Sequence, residues 1–111
     1  MSTIFDKIIK GELPADKVFE NERIVAFKDI NPVAPVHILI VPKKAISGLQ
    51  ALEKEDMPLI GEIAEVAKEL AKEHGIESGY RLLTNNGTLA GQTIFHLHFH
   101  LIGGRQLGAL A

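Results

Sequence analysis

Residues 96–102 read His-Leu-His-Phe-His-Leu-Ile, with imidazoles alternating with large apolar side chains. Alternation at a period of two is the pattern of a half-buried β-strand. At a rise of about 3.3 Å per residue, alternate side chains leave one face about 6.6 Å apart. Leu97, Phe99 and Leu101 are therefore expected in a core, with His96, His98 and His100 in a row on the opposite face. Three of the chain's five histidines are spent here. Whatever fold forms must supply a strand with one apolar side and one side that puts three imidazoles to use.

Three uses compete. A solvated face would need no partners. A metal site is possible because i, i+2 spacing can direct two imidazoles at one ion; the chain has no cysteine to complete it, and no carboxylate partner is evident nearby. The third use is acid–base and nucleophilic chemistry on an anionic substrate, which suits groups that titrate near neutrality. The spacing favours the third, in which several imidazoles converge on an anion.

The remaining composition narrows the setting. A chain of 111 residues suits one domain, residues 1–111, able to bury about two-thirds of its unfolded surface. The net charge of −2 gives no case for general nucleic-acid or membrane binding, so phosphate recognition would be local. Absence of cysteine rules out disulfides and thiol nucleophiles and agrees with a reducing compartment. No basic-then-apolar leader opens the sequence and no apolar run could span a bilayer. A cytoplasmic protein is expected.

Periodicity then orders the elements. Residues 3–10 predict a short helix with Ile4, Phe5, Ile8 and Ile9 on one face, capped by Ser2 or Thr3 with Asp6 in reach and ended by Gly11. Val18–Glu20 and Arg23–Lys28 predict a hairpin. A proline-stiffened loop from Asp29 to Pro35 leads to a strand from Val36 to Val41, with His37, Leu39 and Val41 on one face and Val36, Ile38 and Ile40 on the other. A helical turn is expected near 47–52. A long amphipathic helix follows from Asp56 to His74, capped by Asp56 and ended by Gly75. Gly79–Thr84 reads as a strand, and the small, polar loop Asn85–Thr93 could present backbone N–H groups to a phosphate. The result is an α+β domain: an antiparallel sheet of about five strands, one short N-terminal helix and one long helix, both helices on one face.

The pattern His-φ-His-φ-His-φ-φ, with φ apolar, resembles the signature of the histidine-triad (HIT) family. The continuation Gly103-Gly104-Arg105-Gln106 resembles its Hint branch of nucleotide-binding phosphoramidases. Further matches are Ile4–Ile9, Ala26–Pro32, Ala34–His37, Val41–Lys44 and Asn85–Gln92, so the likeness covers nearly the whole chain. It departs from the pattern at Ala45, where histidine is common, at Leu89-Ala90, where Asp and Gly are usual, and in a tail without an aromatic residue.

The resemblance implies a HIT-like fold and hydrolysis of purine nucleoside 5′-phosphoramidates through a nucleotidyl-histidine, with no cofactor and no metal. His98 would be the nucleophile. His100, as imidazolium or as donor, would hold a phosphate oxygen or protonate the leaving amine, while His96 and His37 position the row and pass a proton. Asp29 would accept the ribose hydroxyls, although an Asx turn is its plain alternative. Asn85, Gln92 and Thr93 would surround the α-phosphate, with Gly91 in the same loop. Phe5, Ile8, Phe27 and Ile30 would complete the nucleotide site. The implied partners are purine nucleoside monophosphates, their phosphoramidates and a second copy of the chain. The alternatives are a dinucleoside polyphosphate hydrolase of the Fhit kind and a nucleotide-binding regulatory module.

Overall fold

The computed structural model describes residues 2–111. Helix α1 runs Ile4–Ile9 and is opened by a reciprocal capping box, in which Thr3 Oγ1 accepts from the Asp6 N–H and Asp6 accepts from the Thr3 N–H. Five antiparallel strands follow: β1 Lys17–Glu20, β2 Ile24–Lys28, β3 Val36–Pro42, β4 Tyr80–Leu83 and β5 Phe99–Gly103. They form one sheet in the order β1-β2-β3-β5-β4. Helix α2, Met57–Glu73, connects the two halves of the sheet. No helix among the described residues is long and apolar enough to cross a membrane.

Alternation in β3 divides the interior as the sequence predicts. Ile38 and Ile40 join Ile24, Ala26, Phe99 and Leu101 in one cluster, closed by Leu59, Ile63, Val66 and Leu70 of α2. Leu39 and Val41 face the other way and pack with Val25, Phe27 and the α1 residues Phe5 and Ile8. The two helices therefore lie on opposite faces of the sheet, which corrects the expectation that both share one. Helical periodicity shows that each helix has an apolar side. Which side of the sheet receives it depends on where the connections lead.

Two other expectations need adjustment. Asp56 does not cap α2 with its side chain. Its carboxylate instead accepts from the Glu53 N–H at 3.0 Å and from Lys44, bracing the turn before the helix. The histidine strand is also shorter than its alternation suggests. Ladder pairing of β5 stops at Ile40↔Phe99 on one side and Leu83↔His100 on the other, so His96, Leu97 and His98 approach the sheet as an unpaired lead-in. Facing is preserved nonetheless: Leu97 is buried in the α2-side core and the imidazoles lie on the α1 side.

Candidate active site

Two strand positions and one lead-in bring the imidazoles together. His37 on β3 pairs with Ile102, and His100 on β5 pairs with Leu39, so the two histidines are diagonal neighbours on one face. His37 Nε2 lies 2.9 Å from His100 Nδ1. The His98 and His100 rings have centroids 5.2 Å apart. Phe5 of α1 sets its ring edge-on to His98 at 4.9 Å and to His96 at 6.3 Å, while stacking edge-on against Phe27 at 5.6 Å.

Hydrogen-bond partners assign the tautomers. His37 Nδ1 accepts the Val33 N–H at 3.2 Å, so its proton sits on Nε2, which donates to His100 Nδ1. His100 then carries its own proton on Nε2. The His98 Nδ1–H donates to the His96 carbonyl at 2.7 Å, leaving a lone pair on Nε2. His96 Nε2 donates to the Pro42 carbonyl at 2.7 Å, and its Nδ1 stands 3.5 Å from Asp6 Oδ1. His96, 2% exposed, is thus a structural tie between the lead-in, β3 and α1. His98 presents a nucleophile and His100 presents a donor.

Burial decides the charge state. Desolvation is the largest influence on His37 and lowers its pKa from 6.5 against the opposing pull of Asp29. His98 is lowered mainly by desolvation too, with its bond to the His96 carbonyl working the other way. His100 is lowered to about 4 by desolvation and by its neighbours His98 and His37. All three rings are therefore neutral near neutral pH. Of the two options for His100, the free protein holds the ring as a neutral donor, which offers an anion a hydrogen bond.

Asp29 forms the Asx turn expected of it and also reaches the histidines. Oδ1 accepts from the Asn31 N–H at 2.8 Å in an Asx turn, and Oδ2 lies 3.4 Å from His37 Nε2. It is the carboxylate that the sequence reading did not find beside the histidines. Asp29, His37 and His100 each offer an atom within 4.8 Å of the others, the spacing of a three-ligand metal site. The protons argue against that use. His37 faces a backbone N–H through Nδ1, so its only lone pair is already committed, and Nε2 must lose its proton to bind a cation at about 2.0–2.1 Å. As arranged, the trio fits a shared proton.

The remaining predicted residues divide. Phe5, Ile8 and Phe27 come together in one buried cluster, whereas Ile30 is 89% exposed. Asn85 is half-buried and Thr93 exposed, and neither side chain makes a hydrogen bond among the described residues. Thr93 also lines an open hollow of about 450 Å³ with Thr3, Ile4 and Phe95.

Gln92 departs from expectation. It is buried, with its amide donating to the carbonyls of Ser47 at 2.8 Å and Ile94 at 3.1 Å and its oxygen accepting from the Gly87 N–H at 2.8 Å. Both amide hydrogens are occupied, so Gln92 braces the loop and offers no free donor to a phosphate. The backbone N–H groups of Ala90, Gly91 and Gln92 likewise turn inward onto Gly87 and Thr88 carbonyls. Gly91 serves the loop through its left-handed backbone, φ +91°.

A fold with paired strands, one long crossing helix and a convergent histidine cluster defines a class, and comparison with known proteins supplies it. The HIT domain model matches residues 10–107. A HIT family hydrolase from Legionella pneumophila superposes with a TM-score of 0.94 at 44% identity, covering 96% of each chain. A histidine triad nucleotide-binding protein from Candida albicans gives 0.83 at 36% identity, over 99% of this chain and 85% of that one. A relative in Zea mays, named a 14 kDa zinc-binding protein, is 49% identical over 95% of this chain and 84% of its own length. The chain belongs to the HIT domain family, on its Hint-like side, and its fold is that of HIT family hydrolases.

Proposed function

We propose that this protein hydrolyses purine nucleoside 5′-phosphoramidates through a covalent nucleotidyl-histidine. The observation that carries the reading is the tautomer of His98: Nδ1–H is held on the His96 carbonyl at 2.7 Å, so the Nε2 lone pair is available to phosphorus without a separate base. A P–N bond forms to His98 as the bond to the leaving amine breaks, and the departing nitrogen takes up a proton from solvent water. Water then cleaves the phosphorus–His98 bond, releasing nucleoside monophosphate and restoring the ring. His100 Nε2–H serves the transferring group as a neutral donor, with its orientation set by His37. Asp29 holds the ribose hydroxyls, Asn85 and Thr93 supply donors to the phosphate, and Phe5, Ile8, Phe27 and Ile30 accommodate the base.

One domain, residues 1–111, carries this chemistry with no cofactor or metal. A homodimer is part of the same reading. It is supported by β4, which closes one end of the sheet order with its outer edge unpaired among the described residues, and by the exposed Leu82 on that strand. The lack of cysteine supports a reducing, cytoplasmic setting. The names of the Legionella and Candida relatives support hydrolysis and nucleotide binding respectively.

The test is intact-protein mass spectrometry after rapid mixing with an AMP-alkylamide. A transient gain of one adenylyl group, mapped to His98 and missing in His98→Ala, is expected. Binding of AMP with neither adduct nor product would transfer the assignment to a nucleotide-binding module, and faster turnover of a dinucleoside polyphosphate would transfer it to that substrate class.

A further inference from the structure

The lead-in that carries His98 has lost the sheet ladder, yet its carbonyl is not left open. Thr84, the first residue after β4, donates its hydroxyl to the His98 carbonyl at 2.7 Å. The last β4–β5 pair is Leu83↔His100, so this hydroxyl continues strand pairing where the backbone ladder has ended. Three further bonds hold the same segment: the Leu97 N–H to the Ile46 carbonyl at 2.6 Å, the His98 ring to the His96 carbonyl at 2.7 Å, and the His96 ring to the Pro42 carbonyl at 2.7 Å. Of the four, only the Thr84 bond grips the main chain of His98 itself.

We propose that Thr84 is a positioning residue for the nucleophile: its hydroxyl fixes the His98 peptide so that the imidazole presents Nε2 in one attack geometry. The proposal rests on the reading of His98 as nucleophile given above. Reaction rates depend steeply on the placement of the attacking atom, and among the described residues His98 has no strand neighbour on either side to hold it. A residue acting this way affects the chemical step rather than substrate capture. The hydrogen-bond partner of the Thr84 hydroxyl among the described residues is a backbone carbonyl, so a hydroxyl of any kind at this point should suffice.

The experiment compares wild type with Thr84→Val, which keeps the side chain's shape, Thr84→Ala, which removes the hydroxyl without adding a methyl group, and Thr84→Ser, which retains it. Steady-state kinetics on an AMP-alkylamide are paired with long-range ¹H–¹⁵N spectra of the His98 ring. Val and Ala should lower kcat by about three- to tenfold, the effect of losing one neutral hydrogen bond, with KM within about twofold of wild type. Ser should restore kcat. The His98 Nδ1 resonance should move in Val and Ala and return in Ser. Wild-type kcat in both Val and Ala, or equal losses in all three variants, would overturn the proposal. Should the wild type fail to turn over the substrate, the functional reading falls separately and the ring spectra still decide: an unmoved His98 resonance in Val and Ala refutes the positioning role.

Discussion

The two faces of the sheet are built for different ends. On the α2 side, a 17-residue helix lays Leu59, Ile63, Val66 and Leu70 across both halves of the sheet, and the cluster beneath is wholly apolar. On the α1 side, a six-residue helix covers a smaller apolar patch, and His37, His96, His98 and His100 gather beside it. Area removed from water governs the first. The second is governed by directional bonds to carbonyls and by neutral rings kept close together. The same β3 strand serves both, with Ile38 and Ile40 turned to one and His37 and Leu39 to the other. Separating the faces lets the stable core tolerate a costly polar cluster.

If this division is real, mutations on the two faces should dissociate. The largest effect is expected from His98→Ala, which should reduce turnover of an AMP-alkylamide by about a thousandfold or more, as nucleophile removal does elsewhere, while thermal unfolding stays close to wild type. Next is Leu70→Ala in the α2 core, where the side chain is 1% exposed. It should cost about 2–5 kcal/mol in chemical denaturation and leave kcat unchanged at temperatures where the protein remains folded. A large loss of kcat there would break the comparison. Phe5→Leu probes the seam between the faces. It should lower stability by about 1 kcal/mol through the lost edge contact with Phe27 and slow adduct formation through the lost contact with His98.

Acid sharpens the contrast further. His98 must be neutral to attack, and its pKa is lowered from 6.5, so the rate should hold steady through neutrality and fall only on the acid side of the usual histidine range. Stability follows the same sign. His37, His98 and His100 bind protons more readily unfolded than folded, so their contribution is full above pH 6.5 and is lost as pH falls toward about 4, the His100 value. A pH series of urea melts would show it, and His100→Asn should flatten the slope. The smallest effect belongs to Arg23→Ala. It breaks the exposed pair with Glu62 and should leave both melting temperature and kcat unaltered, since such pairs in water contribute little.

Much of this was legible in the residues. Thr3 and Asp6 at cap spacing announced α1, the apolar repeat announced α2, and the alternation around His98 and in β3 sorted side chains correctly between two faces. These are local properties: a capping box, a helical period and a strand period are decided by neighbours a few positions apart. The polar loop was the weak point. Gln92 carries an amide that suits a phosphate, and nothing in the neighbouring residues shows that Ser47, forty-five positions away, would claim it.

What the sequence alone determined, then, is which side chains share a face and which chemistry they could perform. Tertiary structure decided that the helices take opposite faces, because the connections before β1 and after β3 run to different sides of the sheet. It brought Asp29 to His37 and gave the histidines their tautomers, since each ring's proton is set by a Val33 amide or by a Pro42 or His96 carbonyl oriented by the folded chain. Proton placement depends on the exact position of acceptors, and acceptors supplied by the backbone carry no mark in the sequence.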